Sequence, residues 1–188
     1  NVVFFFFFLL SFLNGTLSFG TSRFITFELG KKDMERLKST FSTAIGTHAF
    51  LAGLIILLGE TVGIWYVHNV MVCPPNRFSA AFIVYQISII STVISILQVP
   101  FTSEVIAHEK MDFYAYLGIF EAVGRLLIAF LLYKAPFDKL IYYAILMALV
   151  GFVNFAICAV YCKWSFKEVG FKVRIEKSIF NSILKFSG

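Results

Sequence analysis

Five apolar runs, each about as long as a bilayer is thick, constrain this chain more than any other feature. They fall at about 2–20, 41–67, 78–107, 113–133 and 140–162. Roughly 20 apolar residues are needed to cross the hydrocarbon core as a helix. Backbone groups in lipid must be satisfied within the chain, so runs of this length have to be helical. The sequence therefore predicts an all-α, polytopic transmembrane bundle of about five spans. Composition agrees, because 59% of the 188 residues are apolar and only 14% are charged, against about a quarter charged in a soluble domain. The first run opens with Phe4–Phe8 and resembles the apolar part of a signal peptide. No basic segment precedes it and the run continues to Phe19, so it reads as a span. Residue 1 is Asn and the chain opens directly into apolar sequence, which reads as a fragment.

Short polar segments connect the runs. Cys73-Pro-Pro-Asn76 is a turn signal, and His108–Asp112 and Lys134–Lys139 are tight turns. The segment from Thr21 to Thr40 is longer and reads as a loop. Its part from Gly30 to Lys38 predicts a surface helix that runs into the second span, with Asp33 as its cap. Twelve basic residues fall in loop 21–40, loop 108–112 and the tail. Arg77, Lys134 and Lys139 lie on the opposite side, and Arg125 completes the sixteen. The positive-inside bias places loop 21–40, loop 108–112 and the carboxy-terminal tail in the cytoplasm. The amino-terminal end of the first run is then outside, so an earlier span or a leader is expected. Residues 1–162 form the predicted transmembrane bundle. Residues 163–188 form a basic, amphipathic cytoplasmic linker on an anionic membrane surface, ending in the start of another helix.

No nucleotide-binding glycine loop, paired metal ligands or nucleophile elbow is present. The sequence predicts a protein that is not an enzyme, with no catalytic residue, no cofactor, no metal site and no nucleic-acid partner. Cys158 and Cys162 sit i,i+4 in an apolar run and read as small packing residues.

The informative groups are polar residues inside the spans. A charge at the bilayer centre costs about 2.5–3.5 kcal/mol on insertion scales, and such residues face a bundle interior or a wet cavity. Tyr114, Gly118, Glu121 and Arg125 fall on one stripe of the fourth run. They are either a wall of a transport cavity, with Arg125 meeting an anionic group and Glu121 tuning it, or a Glu–Arg pair that neutralises itself. Ser88, Ser91, Ser95, Gln98 and Thr102 make a second stripe in the third run. Small hydroxyls allow close helix packing, the plainer reading. Gln98 precedes Pro100, which breaks the helical hydrogen-bond ladder and is the predicted hinge. Glu104, beyond that point, reads as solvated. On the second run Gly46, Ala49, Gly53 and Glu60 share a face. The small residues predict tight packing, and Glu60 is a cation site, a partner for Arg125 or an interfacial residue. His48 reads as a hydrogen-bonded packing residue. Asn154 is expected to bond across helices, and the tyrosines and tryptophans near span ends predict an aromatic belt.

The stretch Phe12-Leu-Asn-Gly-Thr-Leu-Ser-Phe-Gly-Thr-Ser-Arg-Phe-Ile-Thr-Phe-Glu-Leu-Gly-Lys-Lys-Asp-Met-Glu-Arg-Leu-Lys-Ser-Thr-Phe-Ser-Thr-Ala44 resembles the second helix and following turn of bacterial polysaccharide-biosynthesis flippases, especially Bacteroides-like ones. These belong to the multidrug/oligosaccharidyl-lipid/polysaccharide exporter superfamily. Ile106-Ala-His-Glu-Lys-Met111 and Ala135-Pro-Phe-Asp-Lys-Leu-Ile-Tyr-Tyr-Ala144 extend the resemblance, and the Phe4–Phe8 run departs from it. The resemblance implies a MATE-like amino-terminal lobe that lacks its first helix. It implies a multi-pass protein of the bacterial inner membrane that flips a lipid-linked oligosaccharide by alternating access, with a second lobe of the same chain as its partner. It further implies polyprenyl pyrophosphate as the carrier, with membrane lipid and a coupling cation as further partners. Arg125 is the candidate for the pyrophosphate, with Glu121, Gln98, Glu60 and Asn154 as further cavity residues and Arg23 at the cytoplasmic mouth. A cation-coupled multidrug antiporter of the same superfamily, using Glu60 or Glu121, and a non-transporting membrane remnant remain as alternatives.

Overall fold

The computed structural model describes residues 19–31, 33–69, 77–134, 138–167 and 169. Most of the first predicted span, the Cys73 turn, the turn at 135–137 and most of the basic tail lie outside the described residues. Among the described residues the chain is entirely helical between its turns. Helix α1 covers residues 19–30. Helix α2 is Met34–Leu58, followed by one π-helical turn, Gly59–Gly63, and α3, Ile64–Asn69. Helices α4 (Phe78–Ala107), α5 (Met111–Lys134) and α6 (Lys139–Ser165) complete the bundle.

Four of these stretches are long and apolar enough to cross a membrane. They are Met34–Asn69, Phe78–Ala107, Met111–Tyr133 and Lys139–Ser165, of 36, 30, 23 and 27 residues. The chain is an all-α, multi-pass membrane bundle. Local chemistry fixes several ends. The Asp33 carboxylate accepts from the Arg36 amide and caps α2, as expected. Asp138 caps α6 by accepting from the Leu140 amide. It also accepts from Arg77 Nη1 at 2.8 Å, which ties the starts of α4 and α6 together at one end of the bundle. Helix α4 closes with Glu109 at φ 55°, the left-handed conformation. The Glu109 amide donates to the Ile106 carbonyl and the Lys110 amide to that of Val105, so the last carbonyls are satisfied.

Helix α4 packs most closely on α6 and turns another face to α2, while α5 leans on α6 and barely touches α4. The apolar core sits at one end, where the α1–α2 turn, the α4–α5 turn and the end of α6 meet. Phe101 is its centre, with the rings of Phe41 and Phe155 edge-on at 5.7 Å each. Ile25, Val105, Cys158 and Cys162 surround it, and the Cys162 thiol donates to the Phe101 carbonyl. Both cysteines are buried and unbridged, consistent with packing residues. Trp65, Tyr133 and Trp164 project from helix ends, as an aromatic belt requires, whereas Tyr161 stacks on Phe113.

Several expectations need correction. The segment 21–40 is not a loop, because residues 19–30 are helical and Thr21, Phe24, Ile25 and Glu28 bury one face of α1. Helix α4 is not broken at Pro100 and runs through it. The missing proline N–H leaves the Ile96 carbonyl without its helical donor, and the helix continues past that single lost bond. Gly46 is buried, but Ala49 and Gly53 are exposed and Gly53 has open space where a side chain would stand, so the expected tight packing does not extend along the stripe. Glu104 is fully buried rather than solvated, with His108 Nε2 3.4 Å from its carboxylate and the His108 ring stacked on Phe166.

Candidate functional site

The sparse contact between α4 and α5 leaves a cleft of about 410 Å³ between them. Helix α6 is its floor. One wall is the hydroxyl and amide stripe of α4, comprising Ser91, Ser95, Gln98 and Thr102. The other wall is Glu121 and Arg125 of α5, and the floor presents Ala148, Gly151 and Asn154. Parts of two stripes read separately in the sequence therefore face each other across one groove, whereas Ser88, Tyr114 and Gly118 of those stripes do not line it. Each lies along a single helical face, so the packing of α4 and α5 on α6 is enough to bring them together.

The register places this groove near the middle of the spans. Gly124 sits against Val150, where an added Cβ would meet the valine methyl at 3.0 Å. Val150 lies eleven residues from one end of α6 and fifteen from the other. At a rise of about 1.5 Å per residue, Arg125 is near mid-span. Its guanidinium donates to the Glu121 carboxylate through Nη2, an i,i+4 ion pair on one helix. The pair is not sealed, since the arginine side chain is 61% and the glutamate 41% exposed along the open side of the groove.

The remaining polar groups vary in how well they are satisfied. Ser91 donates to the Ile87 carbonyl and Thr102 to the carbonyls of Gln98 and Val99. Asn154 is 6% exposed, and its Oδ1 has no hydrogen-bond partner among the described residues. The expected cross-helix bond to that oxygen is absent there.

Other predicted site residues lie elsewhere. Glu60 is on the π-helical turn and accepts a long hydrogen bond, 3.4 Å, from Gln86 Nε2 on α4. It does not line the cleft. Arg23 is exposed on α1, near the core end of the bundle, and does not line the cleft either. Pro100 is buried inside α4, between the cleft residues Val99 and Thr102, and does not itself line the cleft. His48 is buried on α2 with Nδ1 2.8 Å from the Ala44 carbonyl.

Two features were not anticipated. The first is the π-helical turn, into which α4 inserts Tyr85. The Tyr85 hydroxyl donates to the Gly59 carbonyl at 2.6 Å. Gly63 makes room for Tyr85, because a Cβ there would lie 1.7 Å from Tyr85 Oη, while one at 59 would lie 2.8 Å from the flexible Ile89 Cδ1, which must then shift. The Gly-x-x-x-Gly spacing was the available signal, since it marks a close helix approach. The second is Glu28, buried on α1 between Arg36 Nε at 3.5 Å and Lys31 Nζ at 3.6 Å. Its neighbours in sequence gave no such signal. No group of metal-ligating side chains occurs among the described residues. No protein-family model, curated protein or solved structure matches the chain.

Proposed function

We propose that this protein is a membrane transporter that flips a polyprenyl-pyrophosphate-linked oligosaccharide from the cytoplasmic to the outer face of the bacterial inner membrane, for surface polysaccharide. The observation that carries this reading is the convergence of Glu121, Arg125, Gln98 and Asn154 on one mid-span cleft of an otherwise apolar bundle. Charged groups in such a position are costly and seldom serve packing alone. A planar guanidinium matches two phosphate oxygens at once, so Arg125 suits the pyrophosphate. Glu121 holds that guanidinium while the cleft is empty. The open side of the ion pair does not suit lipid, and a second lobe facing it would complete an aqueous path. Alternating access then consists of rocking between the two lobes, with Pro100 as the hinge in the α4 wall. The α1–α2 turn, the turn at 108–112 and the tail face the cytoplasm in this scheme.

The resemblance to polysaccharide flippases supplies the substrate class, and the chemistry of the cleft agrees with it. A cationic-drug antiporter fits less well. Of the two acidic residues such an antiporter would use, Glu60 stands outside the cleft, and Glu121 lines it but is held in an ion pair by Arg125. The test is surface-polysaccharide export by variants of Arg125. Arg125→Ala is expected to abolish export while the protein remains folded and inserted, and Arg125→Lys to retain part of it. Export at the normal rate by Arg125→Ala contradicts the reading.

A further inference from the structure

One side of α5 is built differently from the rest of its surface. Ala115, Gly118, Ala122, Arg125 and Ala129 recur at spacings of three and four, so they share one face of the helix. All five are exposed. Leu117 and Ile128 are buried and Gly124 meets Val150, so the side turned toward α6 is a different one. Elsewhere the exposed residues of α5 are large, among them Tyr116, Val123 and Phe130, as suits contact with lipid tails. Small residues gain little from lipid, but they let two helix backbones approach closely. A Cβ added at Gly118 meets nothing within 4 Å, so that approach is open. The same face carries the Arg125 side chain, 61% exposed, with Glu121 beside it. Charges at this depth need polar company rather than lipid.

We infer that a second copy of this chain docks on this face, α5 against α5, in a parallel pair about a two-fold axis normal to the membrane. The two copies share one orientation, because each carries the same bias of basic residues. In such a pair each residue of the stripe meets its own counterpart. Ala115, Ala122 and Ala129 repeat every seven residues, the period at which two helices stay in contact as they wind around each other. The ion pair is self-complementary. Arg125 of one copy reaches the partner's Glu121 across the axis, so two guanidiniums and two carboxylates leave the lipid together with no net charge. A different partner has to bring its own carboxylate to do the same, and lipid tails bring none. The inference does not depend on the transport reading. Where both hold, the second copy stands along the open side of the cleft, because Arg125 belongs to the stripe and to the cleft wall alike.

The experiment expresses two differently tagged copies together and oxidises single-cysteine variants in native membranes with copper phenanthroline. A disulfide forms only where the two Cβ atoms come within about 3.5–4.5 Å. Ala115→Cys, Ala122→Cys and Ala129→Cys are each expected to give an adduct carrying both tags. Tyr116→Cys, Val123→Cys and Phe130→Cys lie one position on, also exposed but about 100° around the helix. They are expected to give nothing above the wild-type background, in which Cys158 and Cys162 are buried. Gly118→Leu adds bulk for which its own copy has room. It is expected to insert normally and to lower the Ala122→Cys adduct by at least about tenfold, because the bulk falls in the paired contact. Ala122→Leu, read with Ala115→Cys, decides the matter if Gly118→Leu does not insert. No adduct, an adduct lacking one tag, equal adducts from both sets of positions, or adducts indifferent to the leucines overturn the inference. The transport reading stands or falls separately, on export by Arg125→Ala.

Discussion

Adding a single methyl group at Gly63 tests how α3 is fastened to α4. A Cβ at this position would lie 1.7 Å from Tyr85 Oη and 2.8 Å from Tyr85 Cζ. Neither distance is tolerable, so the tyrosine must swing away and release the Gly59 carbonyl, now 2.6 Å from its hydroxyl. Losing that hydrogen bond costs about 0.5–1.5 kcal/mol. Forcing the extra volume into a packed contact costs about 1–3 kcal/mol. The better helix propensity of alanine returns about 1 kcal/mol. The expected net loss for Gly63→Ala is about 2 kcal/mol. Gly53→Ala, ten residues earlier on the same span, meets nothing within 4 Å. It should be neutral or more stable by up to about 1 kcal/mol. Tyr85→Phe removes the hydroxyl, costs about 1 kcal/mol alone, and should reduce the penalty of Gly63→Ala. Detergent–SDS unfolding followed by circular dichroism measures the wild type, the three single variants and the Gly63→Ala/Tyr85→Phe double variant. Equal effects at Gly53 and Gly63, or a Gly63 penalty indifferent to Tyr85, would refute the pinned π-helical turn.

Two further outcomes are expected. Glu109→Gly should stabilise the protein by about 1 kcal/mol in the same titration, because Glu109 holds the left-handed conformation that glycine adopts without a clash; a loss of stability would contradict the cap. For orientation, a cysteine at Asn69 should react with an impermeant thiol reagent added outside cells and one at Glu35 only after permeabilisation; the reverse pattern overturns the proposed topology.

The architecture was legible because membrane helices are written as long apolar runs, and the four spans appear where those runs lie. Helix α1 was missed because its buried face includes Thr21 and Glu28, and its exposed side carries Arg23 and Phe27. Charge and apolar residues are mixed in a way that hydropathy reads as loop. Glu104 was misjudged for a related reason. Position near a helix end suggests solvation, but the stacking of His108 on Phe166 at 4.0 Å roofs that corner. At Pro100 the missing N–H leaves only the Ile96 carbonyl without its helical donor, and α4 continues through that one lost bond.

The cleft was half legible. Each polar stripe follows from helical spacing alone, and part of each, Ser91 to Thr102 and Glu121 with Arg125, borders the same groove. That they face each other depends on α6 filling the space between α4 and α5, which no local pattern encodes. Glu60 was grouped with the cavity by extending one helical period through residues 59–63. The π-helical turn interrupts that period, and Glu60 meets Gln86 on the α2–α4 face instead.

The central claim, that a polar path runs through the α4–α5–α6 cleft at mid-membrane, is tested most directly by thiol accessibility. Cysteines are placed one at a time at Ser95 and Ala148, which line the cleft, and at Leu149 and Phe152, on the exposed apolar side of α6. A charged methanethiosulfonate reagent should modify the first two quickly and the second two slowly, by at least about tenfold, because the reagent and the reactive thiolate both need water. Equal rates at all four positions, or faster reaction on the apolar side, would contradict the account.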